Sequence, residues 1–143
     1  MDELMMSLDV GLRGIDNKIP NINGGGCGIF ALLLWDELAQ LGMTAQAVVF
    51  TDNLPVYNIY HIVLKYQGLY IDSEGVRDKM REHSYALEQV IPLDVLQAEA
   101  HDGSLWSDEF DRDRIPMLKK ELHMLGAKML IQKRESELMA INF

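Results

Sequence analysis

Gly24-Gly25-Gly26-Cys27-Gly28-Ile29-Phe30-Ala31-Leu32-Leu33-Leu34-Trp35 joins a run of glycines to a run of apolar residues, with the chain's one cysteine at the junction. Pro20, Asn17, Asn21 and Asn23 precede the glycines, so Gly14 to Gly28 is predicted to be irregular. From Cys27 to about Leu41 the pattern turns helical, and Gly42 sits where a C-terminal cap belongs. Ile29 to Trp35 is apolar on every side, which predicts a helix buried all round at the centre of the fold. Cys27 at the first turn meets unpaired N–H groups and the positive end of the helix dipole, both of which favour a thiolate. The glycines leave room for a substrate to approach the backbone. The Cys27 N–H is placed to face a developing oxyanion, with Asn21 and Asn23 as candidate second donors.

Before this junction, Leu4, Met5, Leu8 and Leu12 predict a short amphipathic helix from Met1 to about Arg13. After it, Ala45 to Thr51 reads as a strand and Asp52-Asn53-Leu54-Pro55 as a turn. Tyr57 to Tyr66 and Leu69 to Ser73 are rich in β-branched and aromatic residues, with Gln67-Gly68 as a two-residue hairpin loop. Glu74 to His83 reads as a loop or a single turn, Leu87 to Leu93 as a short strand, and Leu93 to Ala100 as a helix. His101 to Arg114 is an acidic connector. From Pro116 the chain predicts two helical stretches broken near Gly126, the first marked by Leu118, Leu122 and Leu125, the second by Met129, Leu130, Leu138 and Met139. The order is that of an α+β fold: a central buried helix carrying Cys27 packs on a small antiparallel sheet, with further helices at both ends. The length fits one domain over residues 1–143, its C-terminal helical part from about 93 to 143.

A cysteine nucleophile needs a base, and the hairpin register supplies one. With Gln67-Gly68 as the loop, Tyr66 opposes Leu69, Val63 opposes Asp72 and His61 opposes Glu74. His61, Val63, Tyr70 and Asp72 then share one face, while Ile62, Leu64, Leu69 and Ile71 form the packing face. Asp72 is the diagonal neighbour of His61, roughly 7–8 Å across and within reach of an imidazole. Cys27, His61 and Asp72 therefore make a candidate triad, the Asp holding the imidazole tautomer while the His takes the thiol proton. Glu74, directly opposite His61, competes with Asp72, and a one-residue slip would exchange the faces. Taken singly, a lone Cys on an apolar helix is more commonly an inert small hydrophobe, and a His at a strand start is more commonly structural. The convergence of glycines, helix start and register shifts that balance.

Asn21-Ile22-Asn23-Gly24-Gly25-Gly26-Cys27-Gly28, opening an apolar helix, resembles the nucleophile segment of the papain-like and transglutaminase-like superfamily. His61-Ile62-Val63-Leu64-Lys65-Tyr66-Gln67-Gly68-Leu69-Tyr70-Ile71-Asp72-Ser73 resembles its His strand, turn and Asp strand, and the order Cys, His, Asp is that superfamily's own. The resemblance covers about residues 17 to 76. It implies a Cys helix against an antiparallel sheet and acyl transfer on a peptide or protein substrate: peptide or isopeptide hydrolysis, deamidation, transglutamination or amine acylation. Papain-like peptidases usually take an oxyanion donor from a Gln upstream of the Cys; here Asn21 occupies a similar place and Asn23 is nearer.

Other readings narrow the class. Thirteen Lys and Arg against 22 Asp and Glu give a net charge of −9, which repels phosphate backbones and argues against nucleic-acid binding. One cysteine excludes an internal disulfide and a multi-cysteine zinc site. His61, His83, His101 and His123 are scattered with no ligand spacing, and Asp108, Asp111 and Asp113 lack the glycine and terminal Glu of a calcium loop, so neither a metal nor a cofactor is expected. The acidic start Met1-Asp2-Glu3 does not resemble a secretory signal, and no apolar run approaches the ~20 residues of a membrane span, so a soluble, cytoplasmic protein is expected. Lys119, Lys120, Lys128, Lys133 and Arg134 read as a solvated helix face. The nine methionines gather near the two termini, as core filler or as a pliable partner surface. That second use belongs to the rival reading, a catalytically silent adaptor or inhibitor on the same fold. The oligomeric state stays open at this level.

Overall fold

The computed structural model describes residues 1–51, 60–78, 87–102 and 110–141. The turn read over Asp52-Asn53-Leu54-Pro55, the strand start at Tyr57, the stretch from 79 to 86 and most of the acidic connector lie outside the described residues.

The first helix, α1 (Glu3–Lys18), begins at Asp2, whose carboxylate accepts from the Met5 N–H at 2.8 Å. It runs further than its first apolar residues suggest. Met5, Leu8, Leu12 and Ile15 are all buried, and Ile19 extends the row, so burial outweighs the roughly 1 kcal/mol that Gly14 costs inside a helix. The segment expected to be irregular also carries a helical turn, α2 (Ile22–Gly25), before α3 (Cys27–Gln40). Gly42, at φ +77°, ends α3 as predicted. Cys27 to Ala31, Leu34 and Leu38 are buried, whereas Leu32, Leu33 and Trp35 are half-buried, so α3 is enclosed at its start and partly uncovered further along.

The strands are β1 (Gln46–Thr51), β2 (Tyr60–Tyr66), β3 (Leu69–Asp72), β4 (Gly75–Arg77) and β5 (Leu87–Ile91). They form one antiparallel sheet in the order β4-β3-β2-β1-β5. The β2–β3 register is the predicted one, with Tyr66 opposite Leu69 and Leu64 opposite Ile71. Its loop, Gln67 at φ +49° and Gly68 at φ +79°, has the two positive angles of a type I′ turn. The strand β4 replaces the loop expected after Ser73. Asp72 pairs with Gly75 across a tight turn, and the Val76 N–H on this edge is taken by the Asp9 carboxylate of α1 at 2.8 Å.

Ile62, Leu64, Ile71 and Ala47 join α1 and α3 in the main core. Val48, Phe50 and Val63 make a small second cluster on the other face, completed by Tyr70, whose ring meets Phe50 edge-on with centroids 5.5 Å apart. Beyond β5 come α4 (Leu93–Asp102) and α5 (Ile115–Ile141). The predicted break at Gly126 does not occur. Gly126 is buried within one continuous helix beside Glu37 of α3, whose Oε2 lies 2.6 Å from where a Cβ would stand. No helix among the described residues is long and apolar enough to cross a membrane.

Candidate functional site

Cys27 is the first residue of α3, His61 the second of β2 and Asp72 the last of β3. The His61 Nε2 and Asp72 Oδ2 are 3.0 Å apart. The Cys27 side chain lies close enough to the same imidazole for its hydrogen-bonding and charge effects to be among the causes that raise the His61 pKa. The structure thus brings the three residues of the sequence-derived triad together, with the imidazole in the middle. All are largely enclosed: Cys27 is 8% exposed, His61 7% and Asp72 2%.

Asp72, not Glu74, contacts the imidazole. The chain turns after Asp72, so Glu74 leaves the sheet, and its carboxylate reaches Arg77 at 3.2 Å instead. Its backbone N–H still serves the site by donating to Asp72 Oδ1 at 2.9 Å. Arg77 was not legible as a site residue, because the segment after Ser73 reads as loop. Its Nη2 donates to the same Asp72 Oδ2 at 2.6 Å, from a strand position paired with Tyr70. Extending the register through a tight turn at Ser73-Glu74 is the step that would have found it.

Electrostatics follow from this arrangement. Burial alone pushes the His61 pKa down, but the bonds to Asp72 and Cys27 and their negative charge outweigh it, raising the value to about 9. Burial pushes the Asp72 carboxyl up, and the His61 bond, the Arg77 charge and the Glu74 N–H together hold it below its ordinary value. At neutral pH the site therefore contains an imidazolium beside a carboxylate.

The two oxyanion candidates differ. Asn21 is exposed, in left-handed conformation at φ +63°, and its carbonyl accepts from Gly25 at the start of α2. Asn23 lies one helical turn before Cys27, and its Oδ1 is buried without a hydrogen-bond partner among the described residues. The glycine approach is less open than the sequence suggests. A Cβ on Gly26 would lie 2.9–3.1 Å from the ring of Phe110, a residue 2% exposed, so this glycine makes room for an aromatic side chain of the chain itself. The clue was a lone phenylalanine in an acidic connector, an apolar anchor in a polar stretch.

A cavity of about 460 Å³ is lined by Val49 and Ile62 together with Val90, Ile91, Pro92 and Val95, and none of the three triad residues lines it. Gln89 and Glu99 add polar groups to an otherwise apolar wall. Comparison of the chain with protein-family models, with curated proteins and with solved structures gives no match.

Proposed function

We propose that this chain is a cysteine-dependent acyl-transfer enzyme acting on a peptide-like amide, as its resemblance to the papain-like and transglutaminase-like superfamily implies. The observation that carries the reading is a buried imidazole 3.0 Å from a buried carboxylate and close enough to the only thiol of the chain for that thiol to raise its pKa. In the proposed cycle the Cys27 thiolate attacks the substrate carbonyl carbon, and the new C–S bond forms as the carbonyl oxygen takes the negative charge. The Cys27 N–H and the Asn23 side-chain amide stabilise that oxygen. His61, as imidazolium, gives its proton to the departing amine as the C–N bond breaks, leaving a thioester on Sγ. Water or an amine then attacks the thioester, His61 takes the proton of the incoming group, and the C–S bond breaks to regenerate the thiolate. Asp72 keeps the imidazole oriented and stabilises its charge throughout. A reducing, cytoplasmic setting suits a chain whose one cysteine is a free thiol.

The test is incubation with a panel of peptide amides and glutamine peptides, with and without a primary amine, read by mass spectrometry. Hydrolysed, deamidated or amine-coupled product should form with the wild type and be absent with Cys27→Ala. One observation favours the rival reading, a silent adaptor on the same fold: Cys27 is only 8% exposed, beside a Gly26 packed under Phe110. A wild type that never forms a thioester or product, and never alkylates faster at Cys27 than a free thiol does, would establish that reading instead.

A further inference from the structure

The helix α5 is apolar on two sides, and only one of them belongs to the core. Leu118, Leu122 and Met129 are buried against the body of the molecule. On the other side Met117, Met124, Ile131 and Leu138 are 37, 56, 59 and 61% exposed. These four are spaced seven residues apart over three complete repeats. A strict seven-residue repeat drifts by about 20° per heptad on a straight helix, and a left-handed supercoil around a second helix removes that drift. The stripe therefore has the periodicity of a helical partner, supplying one of the two seam positions of each heptad. It spans roughly 32 Å along the axis.

The charges beside the stripe say which helix. Three residues after each of the first three apolar positions stand Lys120, Ala127 and Arg134, all exposed, and after Leu138 stands Ile141. Four residues after them, on the other flank, stand Glu121, Lys128 and Glu135. One flank is basic or neutral, and the other is acidic at two of its three positions. In a parallel pair related by a two-fold axis along the seam, the basic flank of one helix faces the acidic flank of the other. Lys120 then approaches Glu121 of a second copy, and Arg134 approaches its Glu135. In an antiparallel pair like flanks meet, setting Lys120 near Arg134 and Glu121 near Glu135, and the contacts are repulsive. The surface is thus complementary to itself in one orientation. Lys18 of α1 also holds Glu121, at 3.4 Å, which leaves Arg134 and Glu135 as the more telling pair.

We propose that Met117, Met124, Ile131 and Leu138 form the seam of a parallel two-stranded coiled coil between two copies of this chain. The pairing buries the stripe and leaves the Cys27–His61–Asp72 sites on the two bodies, on the far side of α5 from the seam.

The experiment is the molar mass of the full chain by light scattering across a series from ~1 to ~100 µM, because dimer stability depends on protomer concentration. The expected result is a rise from 16.3 kDa towards twice that mass. Ile131→Asp should hold the protein at the monomer mass with an unchanged circular dichroism spectrum. Arg134→Glu should weaken association about tenfold, and adding Glu135→Arg should restore it, because the exchanged flanks again face opposite charges. In a Cys27→Ala background, Ile131→Cys should form a disulfide-linked dimer under diamide, since equivalent seam positions face each other. A monomer throughout the series, or a dimer that survives Ile131→Asp, overturns the proposal. Cross-linking of Met124→Cys protein to Ile131→Cys protein in preference to Ile131→Cys with itself would show the antiparallel pair and overturn it as well. Retention of another protein by the stripe while the purified chain stays monomeric would assign the surface to a different occupant.

Discussion

Asp72 is a buried carboxylate whose two oxygens meet three donors: His61 and Arg77 at Oδ2, and the Glu74 N–H at Oδ1. Two cations on one oxygen mean that neither can be removed without leaving buried charge less compensated. Arg77→Met should therefore destabilise the fold by about 3 kcal/mol in urea unfolding, far more than loss of a surface ion pair. Asp72→Asn keeps the shape but removes the charge that holds the imidazolium. It should lower any acyl-transfer rate by about 10²-fold or more and bring the His61 pKa down from about 9, as read by NMR titration of the imidazole. The pH dependence of stability has a definite sign at this site. His61 has a raised pKa, so its contribution is complete below about pH 6.5 and is lost as pH rises towards 9. Asp72 has a lowered pKa, so its contribution is present above its ordinary value of 3.8 and is lost under more acid conditions. Urea midpoints should therefore fall between pH 6.5 and 9 in the wild type, and His61→Phe should flatten that fall. An equal slope in both proteins would remove the electrostatic account.

The elements were legible where a local pattern carried its own boundary. The hairpin from β2 to β3 was readable because Gln67-Gly68 separates two runs of β-branched and aromatic residues and Gly68 accepts a positive φ freely, and that turn fixes the face of every side chain up to His61. The start of α3 was readable from Gly26-Cys27 and its end from Gly42. What failed were boundaries decided by distant contacts. Gly126 reads as a helix break, yet α5 passes through it because Leu118 and Leu122 before it and Met129 after it are buried in one core. The strand β4 is three residues of weak propensity, held by pairing to β3 and by Asp9 of a helix 67 residues earlier. The packing of Phe110 on Gly26 is likewise invisible to any window of sequence. It yields a prediction at this scale. Gly26→Ala should cost about 1–3 kcal/mol by overpacking against the ring, and Phe110→Leu should reduce that cost in a double-mutant cycle. Additive effects would mean that the two residues do not meet.

At the scale of the molecule, one sheet and one helix terminus carry Cys27, His61 and Asp72, and all three are largely enclosed. The −9 net charge and the lone cysteine argued against a nucleic-acid binder and a multi-cysteine zinc protein, while the glycines before Cys27, the helix start and the hairpin register carried the expectation of a thiol enzyme. The outer face of α5 was the part least legible, since a helix apolar on two sides looks in sequence like one poorly patterned helix. Its role becomes visible only when burial separates Leu118 and Leu122 from Met117 and Met124. The claim at the centre remains that Cys27 is a nucleophile charged by His61. It is tested most directly by the rate at which a peptide vinyl sulfone adds to the intact protein at neutral pH, followed by intact mass. A single adduct at Cys27, formed at least about tenfold faster than on free cysteine and abolished by His61→Ala with the fold retained, is the predicted result. Addition no faster than on free cysteine, or a rate indifferent to His61, would contradict it.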